Sequence, residues 1–215
     1  MKHRGVSTSG QAETTRQTIL QAARACFAES GFHGSSLRAV ASRAGVTQPL
    51  INHYFGSKEG LVLAVVDQTF VDYTERQSEQ WERPLGDLRF FTKGLQVLFD
   101  WLGENQDVLR LATWVRLEGY PLESNAHPII EAVRAQIDHL RTSGALRQGI
   151  DTDMLMILID AAFKGYWDRR EQLTLYGLQP STELDVAYRK LTIEALVRGL
   201  FQGPALDDAL ALIED

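Results

Sequence analysis

Apolar residues recur along this chain at the three-to-four spacing of helices almost from end to end, and no stretch alternates as a half-buried strand would. Thr14 or Thr15 can cap a first helix reaching to about Ser30, with Ile19, Ala22, Ala23, Cys26 and Phe27 as its stripe and Gly31 just past its end. Leu37, Val40 and Ala41 mark a short second helix capped by Ser35 or Ser36. Ala44-Gly45-Val46 interrupts it, and Gly45 supplies the positive φ that a turn between crossing helices requires. Thr47 then caps a third helix to Tyr54, with Pro49 in its first turn and Leu50, Ile51, Tyr54 and Phe55 as its apolar face. Gly56 turns the chain, and Ser57 caps a fourth helix that runs towards Trp81 and becomes strongly polar in its second half.

Six further segments follow. Leu88 to Gly103 is rich in aromatics, and Asp107 to Gly119 carries Leu109, Leu111, Trp114, Val115 and Leu117. A loop with two prolines, 119–128, leads to a helix over Pro128 to Ser143. Asp151 or Thr152 opens a long helix through Trp167, ended by Gly177 and Pro180. Thr182 to Phe201 is the last long helix, and the tail adds one turn or two. The fold class predicted is all-α: a three-helix N-terminal module over 14–57, preceded by a disordered arm over 1–13 and followed by a helical body over 58–215.

The third helix leaves Thr47, Gln48, Pro49, Asn52 and His53 as short, hydrogen-bonding side chains at a helix start. A helix-turn-helix presents such a surface to the major groove, where it reads base edges. The capping serine, Ser35 or Ser36, together with Arg38 would suit a phosphate oxygen, although plain capping explains the hydroxyl equally well. Lys58 stands at a helix start, where a cation is mildly unfavourable, so an external anion gives it a motive.

Charge sharpens this picture. The net charge of −6 opposes nucleic-acid binding only on average: residues 1–58 hold seven lysines and arginines against Glu13 and Glu29, a net of +5, leaving −11 for the remainder. A basic module on an acidic body is the asymmetry expected when one end meets phosphate. Lys2 and Arg4 add charge to the arm, where a solvated tail accounts for them as well. The polar N-terminus lacks the apolar core of a signal peptide, no run approaches the roughly 20 apolar residues of a membrane span, and the single Cys26 reads as a packing thiol. A cytoplasmic protein is expected.

The helix-one stripe ending in CFAESGFHGSSLRAVA, followed by SRAGVTQPLINHYFGSKEGLVLAV, resembles the TetR/AcrR family of bacterial one-component regulators. The resemblance covers about the first 65 residues; beyond them it extends only to length and helical pattern. It implies a TetR-like fold, a DNA-binding module of three helices and a regulatory, dimerising body. It implies a homodimer built as a four-helix bundle from the last two long helices, a pseudo-palindromic double-stranded operator, and repression relieved by a small-molecule effector. Base contacts would fall on Thr47, Gln48, Pro49, Leu50, Asn52 and His53, and phosphate contacts on Ser35 or Ser36, Arg38, Tyr54 and Lys58. The sequence departs from many members at Gln48-Pro49-Leu50, where a basic residue or small hydroxyl is common, and this points to a particular operator. Gly165 with Ala161 and Ala162 would allow a close approach of helices in the dimer bundle, and Ala187, Leu191, Ala195 and Leu196 would face the same seam.

For an effector, the large aromatics Phe91, Trp101, Trp114, Tyr166 and Trp167 are candidate pocket walls, and ordinary core is the competing reading. Arg110, Glu118, His127 and Asp160 are candidate polar anchors. Asp160 interrupts the apolar run MLMILIDAAF and needs a partner, which Lys164, four residues on, can supply. His127 and Glu131 stand i, i+4 as a metal pair would, yet no third ligand accompanies them, so a solvated helix start is favoured and no metal or cofactor is expected. No nucleophile elbow or phosphate-cradling glycine loop occurs, which argues against an enzyme. The alternative to a ligand-responsive regulator is an effector-independent, DNA-bound structural or cell-organising protein of the same fold.

Overall fold

The computed structural model describes residues 8–76, 84–119 and 127–214. Its helices are α1 (Thr8–Gly34), α2 (Leu37–Ala44), α3 (Gln48–Phe55), α4 (Lys58–Arg76), α5 (Leu88–Glu104), α6 (Gln106–Leu117), α7 (His127–Thr142), α8 (Thr152–Arg169), α9 (Thr182–Leu200) and α10 (Pro204–Glu214), with a 3-10 helix over Arg170–Tyr176. The fold is all-α, as the periodicity predicts. Among the described residues the only extended pairing is an isolated bridge between Leu146 and Phe201. None of the described helices is long and apolar enough to cross a membrane.

The first helix differs from expectation. It begins at Thr8 and takes in residues assigned to the arm, because Thr14 and Thr15 do not cap it. Their hydroxyls instead donate to the carbonyls of Gly10 at 2.9 Å and Gln11 at 2.8 Å, within the helix. Residues 1–7 of the arm, the helix extension towards Trp81 and most of the 119–128 loop lie outside the described residues. Gly31, at φ 67° and ψ 177°, breaks α1 where predicted.

The chain divides into two compact units. One comprises residues 1–72 and 107–125, and the other 73–106 and 126–215. The first therefore contains the three N-terminal helices together with most of α4 and α6 from Asp107 on, although the sequence assigns both to the body. Its core joins Ile19, Ala23, Phe27, Val40, Ile51, Leu61 and Val65 to Val108, Leu111 and Val115 of α6. An ion pair adds to it: the Arg24 guanidinium on α1 donates to both Asp107 oxygens on α6, at 3.0 and 3.1 Å.

The second unit is built on aromatics. Phe99, Phe163 and Phe201 are fully buried. Phe99 meets the rings of Phe163, Tyr166 and Trp167 at 4.9–5.6 Å, and the Trp167 indole N–H donates to the Phe99 carbonyl at 2.9 Å. Tyr166 stacks on Tyr188 of α9 with ring centres 4.1 Å apart, and the Tyr188 hydroxyl donates to the Ala162 carbonyl.

The run MLMILIDAAF is not buried all round. Leu155, Ile159 and Phe163 point into the core, while Met154, Ile157 and Leu158 are 61, 60 and 56 % exposed on the other side. Asp160 shares that outer side, so it is not a carboxylate inside a buried helix. It pairs with Lys164 at 2.8 Å in solvent.

Candidate nucleic-acid interface

Local geometry makes the helix-turn-helix. Gly45 closes α2 at φ 67° and ψ 29°, a left-handed conformation that costs a glycine nothing, and the Val46 N–H returns to the Ala41 carbonyl at 3.0 Å. Thr47 follows in extended backbone as the N-cap of α3, with Pro49 in the first turn. Its hydroxyl makes no capping bond, contrary to expectation, and is left on the exposed surface.

Ile51 anchors α3 at zero exposure. Burying that residue turns Thr47, Gln48, Pro49, Asn52 and His53 outward, all exposed, with Leu50 half-buried beside them. Five of the six residues expected at base edges thus form one open surface of mixed donors and acceptors.

Of the expected phosphate contacts, the two serines separate. Ser36 is the cap of α2: its hydroxyl accepts from the Ala39 N–H at 3.1 Å, and the residue is exposed. Ser35 is buried, and its hydroxyl lies 2.9 Å from the Cys26 carbonyl and 2.7 Å from that of Gly31. A phosphate role for Ser35 is therefore corrected: its hydroxyl holds the α1–α2 turn. Tyr54 is half-buried, and its hydroxyl donates to the Ala12 carbonyl at 3.3 Å, so its proton is engaged with α1 and not with an external anion.

Arg38 is exposed and pairs with no carboxylate among the described residues. Its neighbour Arg43 is held instead, donating to both oxygens of Glu29 at 2.9 and 2.6 Å. Lys58 points its ammonium over the Phe32 ring, 4.2 Å from the centroid. Burial pushes the Lys58 pKa down, with Glu59 opposing. A partly desolvated cation facing a ring gains from an approaching phosphate more than a hydrated one does.

The nine expected effector contacts do not gather in one unit. Trp114, Arg110 and Glu118 belong to the unit with α1–α3; Phe91, Trp101, Asp160, Tyr166 and Trp167 belong to the other. Arg110 and Glu118 are exposed. Phe91, Trp101 and Tyr166 are buried, with Phe91 against Phe201 and Trp101 against Tyr73. The His127 side chain lies outside the described residues. Among the expected dimer contacts, Ala161, Ala187, Leu191 and Ala195 are exposed, Leu191 at 67 %. Leu196 is 9 % exposed, with Ile193, Val197 and Leu200 also buried on α9, and so belongs to the core of its own chain. A Cβ on half-buried Gly165 would meet only the tip of Arg169, at 3.4 Å.

Residues 19–65 match the family model described as bacterial regulatory proteins, tetR family. The HTH-type transcriptional repressor AcnR of Corynebacterium efficiens is 27 % identical over 169 residues, 76 % of this chain and 86 % of that protein. The HTH-type transcriptional regulator RutR of Escherichia coli is 26 % identical over 212 residues, 94 % of this chain and 98 % of the relative. Among solved structures, a gamma-butyrolactone receptor (ArpA-like protein) matches with a TM-score of 0.67 and 19 % identity, covering 95 % of this chain and 96 % of that one. At that identity the likeness is one of fold.

Proposed function

We propose, from the premise that the chain belongs to the TetR family of bacterial regulatory proteins, that it is a cytoplasmic transcriptional regulator that binds a pseudo-palindromic operator as a homodimer and is released from it by a small-molecule effector. The observation that carries this reading is the outer surface of α3. Thr47, Gln48, Pro49, Asn52 and His53 stand exposed in one row while Ile51 on the opposite side is fully buried. Gln48 or Asn52 has the amide geometry to read an adenine, and Pro49 or Leu50 offers apolar contact to a thymine methyl. Ser36, Arg38 and Lys58 flank the row as phosphate contacts. AcnR is named a repressor, and repression is the sense proposed here.

Dimerisation is assigned to α8 and α9. Met154, Ile157, Leu158 and Ala161 recur along α8 at helical spacing and face solvent in the single chain, as do Ala187, Leu191 and Ala195 along α9. A helix that is apolar on both sides and covered on one asks for a second cover. Two α8–α9 pairs would form a four-helix bundle and set the two copies of α3 about 34–36 Å apart, one turn of DNA, or a multiple of it. An effector would act by preferring a conformation of the body in which that separation no longer fits, and only to the extent of its differential affinity.

The test is selection of genomic DNA fragments by the purified protein. A palindromic consensus, shared among bound fragments and relaxed at one position per half-site in Gln48→Ala or Asn52→Ala, is the expected result. Recovery of fragments without any shared sequence would defeat the reading.

A further inference from the structure

The ring of Phe32 is gripped by two elements at once. Lys58, at the head of α4, places its ammonium 4.2 Å from the ring centre, and Trp114, near the end of α6, stacks on the same ring with centroids 3.5 Å apart and planes 24° from parallel. Trp114 also holds the next residue: its indole N–H donates to His33 Nε2 at 3.1 Å, and the His33 ring stands edge-on to Phe32 at 5.2 Å. Phe32 and His33 lie in the short stretch between Gly31, where α1 breaks, and Ser36, where α2 is capped. One side chain of α6 therefore touches the stretch that leads into Ser36 and Arg38 and, through the shared ring, the seat of the Lys58 ammonium. At its other end α6 is tied to α1 by the Arg24–Asp107 pair.

Aromatic stacking and a cation over a ring are geometry-sensitive contacts. Removing Trp114 leaves the Phe32 ring with only its looser stack on Phe27, at 6.3 Å between centroids, and the His33 imidazole without its donor. The ammonium then loses a fixed platform and the α2 cap loses its approach. Neither consequence requires unfolding, since Val108, Leu111 and Val115 remain to pack α6.

We infer that Trp114 is a positioning residue for DNA binding: through Phe32 and His33 it fixes the Lys58 ammonium and the α1–α2 turn for contact with the phosphate backbone. The inference rests on the DNA-binding reading above. It places one determinant of operator affinity well outside the segment matched by the family model, which ends at residue 65.

The experiment uses full-length wild type, Trp114→Ala, Trp114→Phe, Phe32→Leu, Lys58→Ala and the double variant Trp114→Ala/Lys58→Ala. Each is titrated over a salt series against a genomic DNA fragment that wild type selects. Trp114→Ala is expected to bind about tenfold more weakly, the order of one lost cation–ring contact, with a salt slope reduced by about one per protomer. Trp114→Phe keeps a ring for Phe32 and stays within about threefold of wild type. The double variant is expected to lose less than the sum of the two single losses, because both changes remove the Lys58 contact. Phe32→Leu fills the space without offering an aromatic face; it is expected to reproduce the reduced slope with Trp114 in place, and it decides the matter should Trp114→Ala fail to fold. An unchanged affinity and slope in Trp114→Ala, or losses that add in full in the double variant, would overturn the inference alone. A wild type that captures no fragment at any salt would overturn the DNA-binding reading and this inference with it.

Discussion

The hydroxyl of Tyr166 donates a 2.6 Å hydrogen bond to Asp185, whose carboxylate also takes two bonds from the Arg170 guanidinium, at 2.8 and 2.9 Å. This triad joins the end of α8, the 3-10 helix and the first turn of α9. Burial works against the Asp185 charge, but the bonds from Arg170 and Tyr166 and the Arg170 charge outweigh it, and the carboxyl is held below its ordinary range. Its stabilising effect is thus complete above the unfolded value of about 4 and is lost as pH falls through the lower folded value. Tyr166 is the reverse case. Burial first, and Asp185 second, push its hydroxyl well above the usual tyrosine range, so its contribution is complete below about pH 10 and is lost as pH rises beyond it. Asp185→Asn should cost about 1–3 kcal/mol at neutral pH and flatten the acid limb of stability. Urea unfolding between pH 3 and pH 7 checks this, and an acid limb as steep as that of wild type would count against it.

The same triad shows where sequence reading stops. Tyr166 is visible as a large aromatic on a helix, but its ties to Asp185 and Tyr188 are made across α8 and α9, and without them pocket wall and core look alike. The α2–α3 turn was legible because its determinants are local: Gly45 takes the positive φ, Pro49 starts the helix, and Ile51 sets which side is buried. Ser35 and Ser36 are adjacent hydroxyls with equal capping chemistry, and only the break at Gly31 decides that one turns inward. The bond from Trp114 to His33 joins positions 81 residues apart in sequence, as does, one residue further, its stack on Phe32, and no local pattern announces either. The Asp160–Lys164 pair follows from i, i+4 spacing, but its place in solvent does not, because an apolar run does not tell which part of it is surface.

That outer surface of α8 and α9 carries its own test. Leu191 is 67 % exposed and makes little of the core of its own chain, so Leu191→Glu should leave the fold and its unfolding midpoint within about 0.5 kcal/mol of wild type. In the proposed bundle it places a charge in an apolar seam. Light scattering at micromolar concentration should then show monomer for Leu191→Glu and dimer for wild type, with loss of operator binding in the variant. Leu196→Ala, inside the core, should instead destabilise by about 2–4 kcal/mol. A wild type that is monomeric at these concentrations would sink the bundle.

Arg38 and Gln48 should separate by salt. Arg38 is an exposed cation without a carboxylate partner among the described residues, so Arg38→Ala should weaken binding to all sequences alike and lower the salt slope by about one per protomer. Gln48→Ala should leave the slope unchanged and narrow the gap between the preferred fragment and a single-base variant of it by about 1–3 kcal/mol. Competition titrations at two salt concentrations distinguish the two. Identical behaviour of both variants would mean that the roles are wrongly divided between α2 and α3.

Ser35 and Ser36 give the finest test of the turn that precedes α2. The Ser35 hydroxyl is buried between two carbonyls, so Ser35→Ala strips buried acceptors of a donor and should lower stability by about 1–2 kcal/mol. Ser36→Ala removes an exposed N-cap and should cost about 1 kcal/mol. Stability alone therefore barely tells them apart. DNA binding does: at a temperature where both variants are fully folded, Ser36→Ala should bind more weakly than wild type, because the same hydroxyl and the first-turn N–H groups of α2 face the expected phosphate. Ser35→Ala, whose hydroxyl never reaches the surface, should bind more tightly than Ser36→Ala. If Ser35→Ala proved the weaker binder under those conditions, the turn would be transmitting its loss to α2, and the separation of the two serines into a structural and a phosphate-facing hydroxyl would have to be abandoned.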